Sequence, residues 1–419
     1  MVEAALPSLR SAKVKEHTGC RLCGGTLYSF LKFGPQALPD FSQRAPNWSY
    51  APLEICACEM CHLVQLRHSV DRDEVFRKYW YRSGISETMR AALKDIAAAA
   101  KNLFAQTPLS KEDVVLDIGS NDGTLLSHFP NAKTIGFDPS DIPSEYGDAI
   151  VKEYFTAAAY RDIVGQKARL IFSVGMLYSV DDPLTFIGDV ADSLAPDGVW
   201  VVQMNDLASM IAYNSYDFIG HEHVCIYSLE TLMALGLQHG LEVFYAERNM
   251  LNGGSLRVFL QHRKKTEADI RASVWHALRW EKGVLEGKQR FLGTLINFGV
   301  TTGERIMELR RLIESLCREG KLIHLKGAST RGSTIVQAAI LDRPLIMKAA
   351  DRDARKWGYL MPGTHIPIVS EQESRADKPD YYLVLIYSYM EQLKQREAEF
   401  LQRGGRFIVP LPAVRTEGL

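Results

Sequence analysis

Nothing in this 419-residue chain stays apolar for long: the longest such stretch, around Ile171 to Val180, falls far short of the roughly 20 residues a spanning helix needs. The amino-terminal run MVEAALPSLRSAKVKEH has no apolar core, so no secretory signal is expected. Charge of one sign is lacking too. With 49 basic and 50 acidic side chains, the chain has no basic excess of the kind a nucleic-acid-gripping protein usually carries. Cysteine is scarce outside one place: only Cys225 and Cys317 lie beyond residue 61, which argues for reduced thiols and a cytoplasmic protein rather than a disulfide framework. Two catalytic signatures are also missing. The glycine-rich turns lack a following Gly-Lys-Thr/Ser, and Cys225 stands where an H-E-x-x-H zinc-protease helix would need its second histidine.

The remaining five cysteines are crowded at the front. Cys20-Arg-Leu-Cys23 and Cys58-Glu-Met-Cys61 form two Cys-x-x-Cys knuckles, with Gly24 and Gly25 allowing a tight turn after the first. Four thiolates on two turns satisfy a tetrahedral Zn2+ with no open position, the structural type of site. The rivals are a redox pair without its βαβ context, or unliganded buried thiols. Cys56 competes with Cys58, but Cys58 keeps the two-residue spacing, and His62 reads as an adjacent polar residue. Pro35, Pro39, Pro46 and Pro52 predict a loop between the knuckles.

The most informative stretch is VVLDIGSNDGTLL, Val114 to Leu126, followed by IGFDPS. A short apolar run delivers Asp117 to its end, Gly119 and Gly123 bracket a turn, and Thr124 to Phe129 can start a helix. A second apolar step ends at Asp138. On neighbouring parallel strands this pattern asks for an adenosine-containing ligand at the carboxyl ends of a doubly wound sheet. Dinucleotide sites use G-x-G-x-x-G; here the spacing is Asp-x-Gly-x-x-x-Gly, and Asp117 and Asp122 would repel a pyrophosphate but suit an ammonium group. This resembles motif I of class I S-adenosylmethionine methyltransferases, with Asp138 as the carboxylate for both ribose hydroxyls. Asp117, Gly119, Asn121, Gly123 and Asp138 are the candidate cofactor residues. An acidic turn beside an empty crevice is the plain alternative.

Organisation follows from periodicity. Ser86 to Phe104 predicts a helix with Ala91, Ala92, Ile96, Ala97, Ala100 and Leu103 on its apolar face. Strands are expected at Leu170 to Val174, Val199 to Gln203 and Leu241 to Ala246, with a hairpin through Asn252-Gly253-Gly254-Ser255. Glu267 to Arg318 reads as helical, and a second α/β unit follows from Lys321 through Leu411. The expected division is a zinc-binding domain at 12–78, a Rossmann-like domain at 79–261, a helical connector at 262–320 and a second Rossmann-like domain at 321–415. In that last domain the turn Gly327 to Gly332 either cradles a phosphate through Ser329, Thr330 and Arg331 or merely repeats the fold.

His221-Glu222-His223 carries the candidate acid–base chemistry. Three ionisable side chains in a row are costly to bury, so they are expected on the surface or in a cleft. If the backbone is extended, the two histidines share one side and Glu222 faces the other. The functional reading is a general base; the plain one is a surface loop or a stabilising hydrogen-bond network.

The knuckles, YWYRSGIS (Tyr79 to Ser86), LDIGSNDGTLL, FIGHEHVCIYSL, NGGSLRV and GTHIPIV (Gly363 to Val369) occur in one order. Together, over about Cys20 to Leu411, they resemble the zinc-containing sugar C-methyltransferases that act on nucleotide-linked ketosugars. The resemblance implies an α/β protein with structural zinc and S-adenosylmethionine as methyl donor. It implies that His223 is the base, with Glu222 orienting or polarising beside it and His221 adjacent. Tyr79 and Tyr81 would lie near the donor or the sugar, where phenols can hydrogen-bond a developing oxyanion; aromatic packing between domains is the alternative for Tyr79, Trp80 and Tyr81. The implied reaction is methylation alpha to a ketone, at C3 of a deoxysugar, through an enolate. An O- or N-methyltransferase and a non-catalytic zinc-bearing protein are the rivals. Neither nucleic acid nor membrane is an expected partner, and the oligomeric state is open, a monomer being compatible. The chain departs from the family pattern at Gly220, where a tyrosine is usual, and at Ile226 and Lys326, where aromatics are. Arg331 stands in place of a lysine, and all four departures are expected to reshape the sugar pocket.

Overall fold

The computed structural model describes residues 10–77, 79–144, 146, 149–263, 271–287 and 290–418. The expected domain boundary at Lys78, the connector residues 264–270 (Glu267 among them) and residues 288–289 lie outside the described residues.

The segment between the knuckles is a hairpin, not the loop its prolines suggested. β1 (Leu27–Ala37) and β2 (Ser49–Cys58) pair antiparallel, with Pro35 directly opposite Pro52. Two rings at one rung interrupt the ladder once instead of twice. β3 (Val64–Leu66) extends this sheet, and its other neighbour comes from far along the chain: Cys225 pairs with Gln65 and Ile226 with Val64. The residues just after His-Glu-His are therefore built into the zinc unit's own sheet.

α1 (Glu87–Leu103) is capped by the Ser86 hydroxyl, which accepts from the Met89 N–H at 3.3 Å. Its buried face is Met89, Leu93, Ile96, Ala97 and Ala100; Ala91, which the periodicity puts on that face, is exposed. The central sheet is built from β4 (Val114–Ile118), β5 (Lys133–Phe137), β6 (Ala149–Val151), β7 (Ala168–Val174), β8 (Leu194–Met204) and, beyond the two-residue strand β9 (Cys225–Ile226), β10 (Leu241–Asn249) and β11 (Ser255–His262). Their order is β10-β11-β8-β7-β4-β5-β6, parallel except that β11 runs antiparallel to both neighbours. The order reverses between β4 and β7, so the crevice beyond the carboxyl end of β4 is where a doubly wound sheet receives its ligand. All five residues of β4 are buried, as expected for a strand covered on both faces. Burying each of its aliphatic side chains contributes roughly 1.5–3 kcal/mol. The helix expected from Thr124 is only a 3-10 turn, Leu126–His128, because Gly123 and Pro130 leave too few residues between them for helix to propagate.

Two helices, α2 (Ala272–Glu286) and α3 (Phe291–Arg318), lead to the second α/β unit. Its strands are β12 (Ile323–Lys326), β13 (Ala349–Asp351), β14 (Ile368–Ser370), β15 (Tyr381–Val384), β16 (Arg406–Val409) and β17 (Arg415–Glu417), in the order β14-β13-β12-β15-β16-β17. All pairs are parallel except β16–β17. Helix α4 (Thr330–Ala338) follows β12 at this sheet's own reversal point. One continuous apolar cluster runs from Cys20 through Phe137, Trp200 and Leu295 to Leu411, so the three units share a core. Polar seams reinforce it. Arg21, inside the first knuckle, donates to Asp181 of the central unit at 3.0 Å, and Gln337 of α4 accepts from the Ala37 N–H of β1 at 2.7 Å.

Candidate active site

The donor side forms where β4 ends. Asp117 is 3% exposed, and no hydrogen bond reaches its carboxyl among the described residues. Burial first, and then the charge of Asp138, push its pKa up to about 8. Gly119 turns the chain with φ 78°; a Cβ there would lie 2.9 Å from the Met176 side chain. Asp138, at the end of the neighbouring strand, accepts from the Asn121 N–H at 2.8 Å, from the Ser140 N–H at 2.9 Å and from the Ser140 hydroxyl. A carboxylate has about four acceptor positions, so one is still open to a ribose hydroxyl, and a second would require the Ser140 hydroxyl to turn away. The Asn121 side chain acts elsewhere, for its carbonyl accepts from the Ser83 N–H at 2.9 Å and its amide donates to the Tyr81 carbonyl at 3.0 Å. Asp122 likewise accepts from the Gly84 N–H at 2.8 Å and the Thr124 hydroxyl at 2.6 Å. Both tie the Tyr79–Ser86 segment over the turn. A buried, unpartnered carboxyl beside a second one at a reversal point fits the ammonium and ribose of S-adenosylmethionine.

On the acceptor side the surface reading fails. His221, Glu222 and His223 are neither exposed nor extended: they are 4%, 4% and 6% exposed, in a turn closed by a 2.9 Å bond from the His223 N–H to the Gly220 carbonyl. Backbone carbonyls make this tolerable. His221 Nε2–H donates to the Ala51 carbonyl at 3.2 Å, and His223 Nδ1–H donates to the Phe218 carbonyl at 2.5 Å. A carbonyl only accepts, so His223 carries its proton on Nδ1 and a lone pair on Nε2. Burial holds both histidines below their ordinary pKa, hence neutral near pH 7. The His223 ring stacks on Phe218 at 4.3 Å and meets Tyr178 edge-on at 4.2 Å. The Glu222 carboxylate fills the space over Gly220, 2.8 Å from where a Cβ would stand.

Tyr79 connects the two sides. Its phenol is pushed well up by burial, and then by the carboxylate of Glu222 from one side and that of Asp138 from the other, so both sides act on it. Tyr81 keeps 41% of its surface accessible, yet the protein crowding the cleft still pushes its phenol up. Trp80, between them, turns to the second α/β unit, edge-on to Tyr359 at 6.2 Å, which is the packing role considered for all three aromatics.

The second α/β unit closes this cleft through Arg331 and through partners the sequence did not single out. Arg331 Nε and Nη2 donate to Asp217 at 2.9 Å each, and the Tyr387 phenol donates to the same carboxylate at 2.9 Å. A tyrosine after a strand end (Tyr178 after β7, Tyr387 after β15) was the available signal, since ligands gather at the carboxyl ends of such strands. The phosphate reading of the Gly327–Gly332 turn does not hold for Ser329 and Arg331. Ser329 caps α4 by accepting from the Gly332 N–H at 3.0 Å, and Arg331 is committed to Asp217. Lys326 and Ile226 do not reshape a sugar pocket either. Lys326 is fully buried, paired with Glu397 and with Glu371 at 3.2 Å, and Ile226 is 1% exposed inside β9.

The four knuckle sulfurs lie within 4.8 Å of one another, with Cys20–Cys61 and Cys23–Cys58 both at 3.4 Å. A tetrahedral Zn2+ with bonds of about 2.3 Å needs sulfurs only slightly further apart. The Leu22 N–H already points at the Cys20 sulfur, 3.4 Å away, as thiolates in such knuckles require. Cys56 is outside the cluster: it is buried, its thiol pushed up to about 11 by burial. His62 is more than a polar neighbour, its ring stacking on Phe291 at 4.3 Å.

Three family models match consecutive parts of the chain: a zinc binding domain over residues 20–76, a methyltransferase domain over 85–246 and a C-methyltransferase C-terminal domain over 250–412. The C-methyltransferase NovU of Streptomyces niveus is 29% identical over 414 residues, 94% of this chain and 96% of that protein. Two solved structures align with 42% of the chain. One is the plantazolicin methyltransferase BpumL with S-adenosylhomocysteine (10% identity, 87% of its chain, TM-score 0.34). The other is the magnesium protoporphyrin IX methyltransferase ChlM of Synechocystis PCC 6803 with bound S-adenosylmethionine (12%, 79%, TM-score 0.31). At that distance neither bears on the site.

Proposed function

The chain belongs to the zinc-containing C-methyltransferases that use S-adenosylmethionine, and from that premise we propose that it methylates a carbon alpha to a ketone, at C3 of a nucleotide-linked deoxy-ketosugar. The observation that carries this reading is the neutral His223 with its lone pair on Nε2, set in one cleft with Glu222, Tyr79 and the donor carboxylates.

When bound, S-adenosylmethionine supplies an electrophilic methyl group on a positively charged sulfur. Asp117 would take its ammonium and Asp138 its ribose hydroxyls. His223 would remove the proton from the sugar carbon at Nε2, and the electron pair of that C–H bond would move onto the ketone oxygen. There Tyr79 or Tyr81 would donate a hydrogen bond to the developing oxyanion. Glu222 would balance the charge that His223 acquires. The enolate carbon would then form its bond to the methyl carbon while the carbon–sulfur bond breaks and its pair stays on sulfur. Zinc holds the knuckles together and takes no part in these steps. We further read the protein as cytoplasmic, none of its seven cysteines being in a disulfide.

The test is purified protein, labelled methyl donor and a panel of nucleoside-diphosphate 4-ketosugars. A product with a new carbon–carbon bond, together with His223-dependent exchange of the alpha proton in D2O, is the expected result. A methyl ether or methylamine would replace this reading by the O- or N-methyltransferase one. Absence of donor binding by calorimetry would replace it by the non-catalytic one.

A further inference from the structure

Helix α4 carries two side chains that reach into the central unit. Arg331 grips Asp217 through two bonds of 2.9 Å, and Thr334, one turn on, donates its hydroxyl to the Ile219 carbonyl at 3.0 Å. Between the two grips lies Phe218, whose carbonyl receives the Nδ1–H of His223. Arg331 is anchored in turn: Nη1 donates to the Asn252 carbonyl of the β10–β11 hairpin, and Nη2 to the Tyr387 phenol at 3.2 Å. Asp217 is 2% exposed, so its charge would be costly to bury without the guanidinium. The same guanidinium lies 5.9 Å from the Phe218 ring on which His223 stacks.

We infer that Arg331 is a positioning residue for the base: by holding Asp217 it holds the Phe218 carbonyl, and that carbonyl keeps the His223 proton on Nδ1 and the lone pair on Nε2. The inference rests on His223 being the base of the reaction proposed above. It gives the second α/β unit a role of its own, which is to seat the base rather than to bind a phosphate. The two tautomers of a neutral imidazole are close in energy, so the partner of one nitrogen decides which is present. A hydrogen bond weakens steeply once the acceptor moves or tilts away, so a slack 216–219 segment would lose that selection.

The tautomer can be read without knowing the substrate. In the full chain labelled with 15N-histidine, long-range proton–nitrogen spectra identify the His223 ring by its disappearance in His223→Ala. The wild type should show the pure Nδ1–H form. In Arg331→Ala the two ring nitrogens should move toward averaged shifts, with Arg331→Lys between, while the S-adenosylhomocysteine Kd stays within about twofold. Thr334→Val, which alters no charge, should give a smaller shift of the same sign and serves if Arg331→Ala does not fold. A pure Nδ1–H form in folded Arg331→Ala, or in Thr334→Val where Arg331→Ala fails to fold, would overturn the inference. With a turning-over ketosugar, Arg331→Ala should lower kcat about 100-fold, the scale of losing a poised base, without raising KM for the donor. An averaged tautomer with undiminished turnover would leave the positioning intact and remove His223 from the reaction.

Discussion

The turn after β4 and the turn after β12 stand at the same point of two sheets with the same winding, and up to a point they match bond for bond. Gly119 and Gly327 both take positive φ, and their N–H groups bond to the neighbouring strand at Phe137 and Ala350, 2.8 Å each. Asp138 follows the last residue of its neighbouring strand, and Asp351 ends its own. Each accepts one N–H from the turn, at 2.8 and 2.6 Å, and one from the residue two places on, at 2.9 and 2.8 Å. The difference lies two residues before the glycine. There the first unit has Asp117, buried without a hydrogen bond among the described residues, and the second has Leu325, fully buried. Beyond the glycine, the second turn commits its groups to structure: Lys356 donates to the Ala328 carbonyl at 2.6 Å, Ser329 caps α4, and Arg331 leaves for Asp217. The winding offers a crevice twice, and side chains decide whether it stays open for a ligand or becomes a brace.

The contrast breaks first at Asp117. Asp117→Leu copies the second turn into the first and should weaken S-adenosylhomocysteine binding at least about 30-fold in calorimetry, since a charged hydrogen bond of about 2 kcal/mol is lost. Binding at wild-type strength would mean that the donor ammonium sits elsewhere. Asp351→Asn attacks the closed turn and should do the opposite. Its melting temperature should fall by a few degrees, as about 1 kcal/mol goes with a half-buried acceptor of two N–H groups, while the donor Kd changes less than twofold.

A pH effect sharpens the same contrast. The folded pKa of Asp117, about 8, lies above the ordinary carboxylate value, so ionisation is disfavoured in the fold and not in the unfolded chain. The Asp117 contribution to stability should therefore decline from about pH 4 to pH 8 and level off above, a decline missing from Asp117→Leu. Donor affinity should run the other way, rising toward pH 8 as the carboxyl proposed to receive the ammonium ionises. Isothermal titration across pH 6 to 9 and thermal melts of the ligand-free protein read the two slopes. The smallest effect is expected at Gly220, where Gly220→Ala puts a Cβ 2.8 Å from the Glu222 carboxylate. That carboxylate is the far end of a flexible side chain, so a few-fold fall in kcat with an almost unchanged melting temperature is expected. A tenfold or larger fall would show that Glu222 tolerates no displacement.

Much of the donor half is legible in the residue order. An apolar run ending in an acid, two glycines and a second strand-end acid are local facts, and the sheet uses them in order. The knuckles are legible for the same reason, two ligands per turn. The acceptor half is only partly so. His-Glu-His stands out, but its burial does not, because the acceptors that make it tolerable, Ala51 and Phe218, come from another unit and from a 3-10 turn. Arg331 draws notice in a glycine-rich turn, where it reads as a phosphate ligand; its partner Asp217 stands 114 positions earlier, beyond the reach of local pattern.

The sequence alone determined the kinds of chemistry present: four thiols for zinc, two strand-end carboxylates for a donor, and two histidines flanking a glutamate, each set by spacing within one or two turns of chain. Tertiary structure alone decided which groups are engaged and which remain free. Hydrogen bonds and ion pairs are satisfied in space, not along the chain. Asp117 is left over and Asp122 is not; Arg331 becomes a brace, and His223 is handed one tautomer, only when three units close on a shared core.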